Sequence, residues 1–173
     1  MIGDRWGVTP AETRLRFGCH AHVPDPTMAA WRGVTVHAEP DAVWRRLCQV
    51  RLAPYSYDLV DNLGRRSPRE LRHVADPGVG DPFTRALGRD QGRVVAVDPG
   101  RELTATIMGA HMSYVVLPHA AGCRLVLKVV ARPRRWLAPA LSVGDLVMAR
   151  KQLLTLKQLA EGDQRQAGAT SRR

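Results

Sequence analysis

The chain has 173 residues, 45% of them hydrophobic and 24% charged, and a formal net charge of +10 at pH 7. That length suits one domain with a real core, and no apolar run approaches the ~20 residues that span a bilayer. Cys19, Cys48 and Cys123 are odd in number and far apart, which argues against a disulfide framework and for a reducing compartment.

The start, Met1-Ile2-Gly3-Asp4-Arg5-Trp6-Gly7, has no basic stretch followed by an apolar core, so no secretory signal is read and a cytoplasmic location is expected. Residues 1–30, rich in Pro, Gly and His with weak periodicity, read as an irregular N-terminal arm packed on the domain. Within it, Cys19-His20-Ala21-His22 offers soft ligands in one short segment, but no second Cys/His pair stands at finger-like spacing. No metal and no cofactor are therefore expected.

Trp31–His37 alternates and is β-branched, as a strand requires. Pro40 or Asp41 then opens a helix whose Val43, Trp44, Leu47 and Cys48 share one face. A second short helix is expected next: Ser56 as its cap, Asp58 in its first turn, Gly64 at its end, with Tyr55, Leu59 and Leu63 as its apolar stripe. Residues 65–92 are polar and broken by Pro and Gly, with a short strand near Val79–Ala86.

From Gly92 onward four strands follow: Arg93–Asp98, Leu103–Met108, His111–Leu117 and Arg124–Arg132, with turns at Pro99-Gly100 and Ala120-Ala121-Gly122. In the last strand Arg124, Lys128 and Arg132 share one face and Leu125, Leu127, Val129 and Ala131 the other. That pattern predicts a sheet wet on one side and dry on the other. A long helix follows from about Ala138 to Glu161, with Leu146, Ala149, Leu153, Leu156 and Ala160 as its core stripe. Residues 162–173 read as a disordered basic tail.

Three local texts, Val34–Trp44, Tyr55-Ser56-Tyr57-Asp58 with Asn62-Leu63, and Val79–Pro82 with Val94–Arg101, resemble the polyketide cyclase/START-related (SRPBCC) superfamily. They are closest to an actinobacterial-looking branch of it. The resemblance covers roughly residues 5–160. It implies an α+β helix-grip fold over residues 31–161, a curved antiparallel sheet wrapped round a long C-terminal helix, with two short helices after the first strand. It also implies an apolar cavity between sheet and helix.

Members of that superfamily include lipid carriers, hormone receptors and polyketide cyclases, and the fold does not choose among them. The first expectation is a binder of an apolar, lipid- or polyketide-like ligand with a polar or anionic end. A cyclase or aromatase using pocket Tyr and His groups is the alternative, and an Arg-rich interaction module the second alternative. Strict alternation turns Tyr114 and Met112 inward and His111 to the other face. Tyr55, Tyr57, Met148 and His111 complete the ligand-binding candidates, with Met108 as a further gap-filler. Trp31, Trp44 and Trp136 read as core or hinge anchors. Twenty-three of the 26 basic residues are Arg, spread through every segment; Lys128, Lys151 and Lys157 are the rest. Such scatter resembles a coding bias, and no specific nucleic-acid partner follows from it. Oligomeric state is left open.

Overall fold

The computed structural model describes residues 3–56, 67–86 and 88–170. Seven strands form one sheet in the order β1-β2-β7-β6-β5-β4-β3. They are β1 (Arg5–Trp6), β2 (Met28–Val36), β3 (Pro82–Ala86), β4 (Arg89–Asp98), β5 (Glu102–Ile107), β6 (Ala110–His119) and β7 (Gly122–Ala131). β1 runs parallel to β2, and every other pairing is antiparallel. The α-helices among the described residues are α1 (Cys19–His22), α2 (Pro40–Cys48) and α3 (Ala138–Thr170). The curved sheet gripping a long C-terminal helix is the α+β helix-grip architecture expected from the sequence. The short helix expected between Ser56 and Gly64 falls mostly outside the described residues.

Period-2 alternation builds the concave face. Arg32, Leu127, Tyr114 and Leu103 lie in register across β2, β7, β6 and β5. Leu127, Tyr114 and Leu103 join Val34, Leu125, Val129 and Phe83 in a buried cluster that α3 closes with Ala149, Leu153, Leu156 and Ala160. α2 starts with Pro40 at its first turn, where a missing N–H costs nothing, and buries Val43, Trp44, Leu47 and Cys48.

The opposite face is not wet. Trp31, Lys128, Ser113 and Thr104 form its central row, and Phe17, Cys19 and Val23 of the N-terminal segment pack over it. Arg124 and Lys128 are mostly buried there because each has partners. Arg124 binds both oxygens of Glu12 at 2.7 and 2.9 Å. Glu12 in turn forms a reciprocal cap with Thr9, its carboxylate taking the Thr9 N–H while the Thr9 hydroxyl takes the Glu12 N–H. Burial pulls the Glu12 pKa up, but hydrogen bonds from Arg124 and Thr9 outweigh it and leave the carboxyl below its ordinary value.

Among the departures from the sequence reading, three bear on the architecture. β4 begins four residues early because Gly92, at φ 68°, lets the strand pass within reach of the Thr106 carbonyl where a side chain would collide. Met108 is not a core filler: with φ 49° it stands exposed beside Gly109 in a two-residue hairpin turn. α3 runs on to Thr170 instead of giving way to a disordered tail at 162. Arg46 of α2, buried, grips both oxygens of Asp163 at 2.6 Å and anchors that extension. No helix among the described residues is long and apolar enough to cross a membrane.

Candidate functional site

The seam between sheet and α3 holds most of the candidates. Tyr114 points inward, as alternation predicts, and is fully buried. Its hydroxyl donates to Gln152 Oε1 at 2.6 Å, and Gln152 Nε2 donates to the Pro54 carbonyl at 2.7 Å. The Tyr114 ring lies 6.1 Å from Phe83, and its hydroxyl 3.5 Å from Met112 Sδ. Burial, reinforced by Asp145, pushes the Tyr114 phenol well above its ordinary pKa, and the hydrogen bond with Gln152 offsets only part of that. Tyr55 is buried too, with φ 56°, and its hydroxyl accepts a long 3.4 Å hydrogen bond from Gln49. A residue in that left-handed region is outside any right-handed helix, so Tyr55 packs ahead of the segment it was expected to belong to. Met112 and Met148 are half-buried, and Met148 precedes Gln152 by one turn of α3. Tyr57 lies outside the described residues.

His111 is not brought to this group. It sits on the far face of β6, paired across the sheet with Val130 and Thr106, and stacks on His22 at 5.1 Å. Burial, then the neighbouring His22, lowers its pKa. On the same face Lys128 meets His20 Nε2 and lies over the rings of Trp31 (4.5 Å) and Phe17 (5.5 Å). Burial lowers the pKa of both Lys128 and His20. Lys128 is enclosed, so this amine faces no open substrate site. Cys19 uses its backbone N–H on Ser113 Oγ, and its thiol pKa is raised by burial. Among the described residues no three His, Cys, Asp or Glu side chains come together as a metal would need.

Where it is described, the seam is filled: Leu125, Leu127, Leu153 and Leu156 are each at most 1% exposed. An open cavity lies instead on the outer flank of α3. A groove of about 370 Å³ runs between Trp6 of β1 and Leu146, Val147, Arg150, Lys151 and Leu154 of the helix. Gly3 lies close along α3: a Cβ added there would stand 3.4 Å from Val143 Cγ2. Arg32 holds the frame, donating to the Asp4 carbonyl on one side and to the Ser142 carbonyl and Asp145 carboxylate on the other. Burial raises the Asp145 pKa and the Arg32 charge opposes it. At the groove itself the Arg150 guanidinium stacks over the Trp6 ring at 5.3 Å, and neither Arg150 nor Lys151 forms an ion pair among the described residues. Chemically this is an apolar trough with two cations at its rim.

The sequence reading missed this place. It assigned Leu146 to the core stripe of α3 and left Trp6 within the irregular N-terminal arm. The available signal was Val143, Val147 and Leu154, an apolar row about a quarter turn round α3 from Leu153.

Comparison with solved structures places the fold. An AHSA1-like protein from Aeromonas hydrophila superposes with a TM-score of 0.50 at 15% identity, covering 79% of this chain and 94% of that one. A protein of Rhodobacter sphaeroides gives 0.51 at 15% identity over 83% and 95%. A protein of Staphylococcus saprophyticus gives 0.52 at 10% identity over 75% and 89%. At such identities these likenesses show the helix-grip fold alone. No family model matches the chain, and no curated protein matches it either.

Proposed function

We propose that this chain is a cytoplasmic, non-catalytic binding domain for a small amphiphile, apolar along its body and anionic at one end. The observation that supports it is the groove at Trp6: apolar walls from Leu146, Val147 and Leu154 with Arg150 and Lys151 at the rim. Its volume of about 370 Å³ falls within the ~300–1,000 Å³ usual for small-molecule sites. Buried aliphatic area supplies affinity, and a carboxylate or phosphate end would pair with Arg150 and Lys151, which form no ion pair among the described residues. The seam at Tyr114, Met112 and Tyr55, where the family resemblance implies a ligand, is the second place to look.

A polyketide-cyclase activity, with membership in an actinobacterial-like branch, has less support. Tyr114 would be its acid, yet that hydroxyl is committed to Gln152 and burial raises its pKa. His111 stands on the other face of the sheet, stacked on His22.

The test is calorimetric titration of the full chain with laurate. Arg150→Ala/Lys151→Ala is expected to weaken binding by about tenfold, the scale of one charge-assisted contact at an exposed site. Unchanged affinity in that variant, or no binding by the wild type, overturns the reading.

A further inference from the structure

Most long helices of a small domain present one apolar face to the core and a polar face to water. The first half of α3 does not. Ala138, Ala149 and Leu153 are buried on one side, while Ala140, Val143 and Val147 stand exposed on the other, Val143 at 43% and Val147 at 49%. In the turn leading into the helix, closed by the Leu137 N–H to the Arg134 carbonyl, Trp136 is 72% exposed. The sequence reading had it as a hinge or core anchor, but Ala138 takes the buried position at that corner instead.

Cations surround this patch. Arg132, Arg134 and Arg135 precede it, Arg150 and Lys151 follow it, and all five are exposed. None forms an ion pair among the described residues. The one acid in this half of the helix, Asp145, turns the other way and is held by Arg32 at 2.9 Å. An exposed indole and valines, flanked along the chain by exposed cations on both sides, mark an interaction surface.

The chemistry selects among occupants. A second copy docking by two-fold symmetry would set the patch against itself, bringing Arg134, Arg135, Arg150 and Lys151 of both copies together at a cost. A nucleic acid would use the cations and leave the valines in water. An anionic bilayer satisfies both: phosphates meet the Arg and Lys side chains, the indole sits at headgroup depth, and the valines enter the acyl boundary.

We propose that the outer face of the first half of α3, with Trp136 and its flanking Arg134, Arg135, Arg150 and Lys151, docks the protein on the surface of an anionic phospholipid bilayer. The use of such docking, to load or unload an amphiphile, rests on the function proposed above. Trp136, Arg134, Arg135 and Val143 lie outside the groove, however, so the two readings can fail separately.

The experiment is flotation of the full chain with vesicles of mixed phosphatidylglycerol and phosphatidylcholine, beside pure phosphatidylcholine. Binding to the mixed vesicles should exceed binding to the neutral ones by at least about tenfold at low salt and weaken as salt rises. Trp136→Ser/Val143→Asn leaves the charge intact and alters exposed positions. It should lose most vesicle binding, about tenfold or more, while binding laurate as the wild type does. Vesicle binding undiminished in that variant would mean charge alone holds the protein, and overturns the proposal. So would the absence of binding to the mixed vesicles, including the case where sedimentation shows the patch consumed in a dimer. No laurate binding by the wild type, together with vesicle binding that Trp136→Ser/Val143→Asn loses, would sink the amphiphile function and leave the docking surface standing.

Discussion

Leu153→Ala probes whether the seam beneath α3 is packed or hollow. Leu153 is 0% exposed and shares one buried cluster with Leu125, Leu127, Leu156 and Tyr114. Removing three carbons forfeits about 2.4 kcal/mol of transfer free energy at ~0.8 per methylene. A cavity that neighbours cannot fill adds to this, since Leu125 and Leu127 are fixed on sheet strands, so the loss should reach about 3–5 kcal/mol. Val147→Ala, on the same helix but half-exposed, should stay within about half a kcal/mol. Equilibrium urea denaturation followed by far-UV circular dichroism reads both. A Leu153→Ala loss below about 1 kcal/mol would mean that the side chain already borders empty space. The filled seam would then be wrong, and with it the preference for the outer groove.

Tyr114→Phe should cost about 1–3 kcal/mol, because it leaves the buried Gln152 Oε1 without the phenol hydrogen bond; laurate affinity should not change, and a loss of affinity without a loss of stability would return Tyr114 to the binding site. Acidification should loosen the N-terminal arm. Burial and Lys128, joined by Arg16 and opposed by Glu102, hold the folded His20 pKa below 6.5, and burial with His22 does the same for His111. Both contribute stability that is present above pH 6.5 and lost as pH falls from there through their lower folded values. Hydrogen-exchange protection of the Gly18 and Cys19 amides, bonded to Glu102 and Ser113, should therefore fall between about pH 7 and 5; protection that stays flat over that window would exclude the histidines as the cause.

The sheet was legible because its signal is local. Leu125, Leu127 and Val129 alternate in plain sight, Pro40 starts α2, and Ala149, Leu153, Leu156 and Ala160 keep a helical spacing. What stayed hidden depends on partners distant in sequence. Arg124 and Lys128 look like solvent residues in a period-2 pattern, and their burial depends on partners such as Glu12, Trp31 and Phe17, about a hundred residues away. The same holds for Asp163, whose helical position depends on Arg46 of α2. Trp6 and α3 meet only because β1 pairs with β2, and nothing in residues 1–30 announces a strand there. The apolar outer row of α3 was readable, but the helix was traced only through the core stripe Leu146, Ala149, Leu153, Leu156 and Ala160, and Val143 and Val147 were left unassigned. Hydrophobicity on two sides of one helix is the sign that a second surface is involved.

The central claim is that an anionic amphiphile binds in the groove at Trp6 and not in the seam at Tyr114. Titration of the isotope-labelled protein with laurate, followed by nitrogen–proton correlation spectra, tests it directly, since the Trp6 indole N–H is a probe inside the groove. The account predicts saturable shifts at that indole and along Leu146–Leu154, with the Tyr114, Leu125 and Leu127 amides unmoved. Shifts centred on Tyr114, Leu125 and Leu127 with a silent Trp6 would contradict it and put the ligand between sheet and helix.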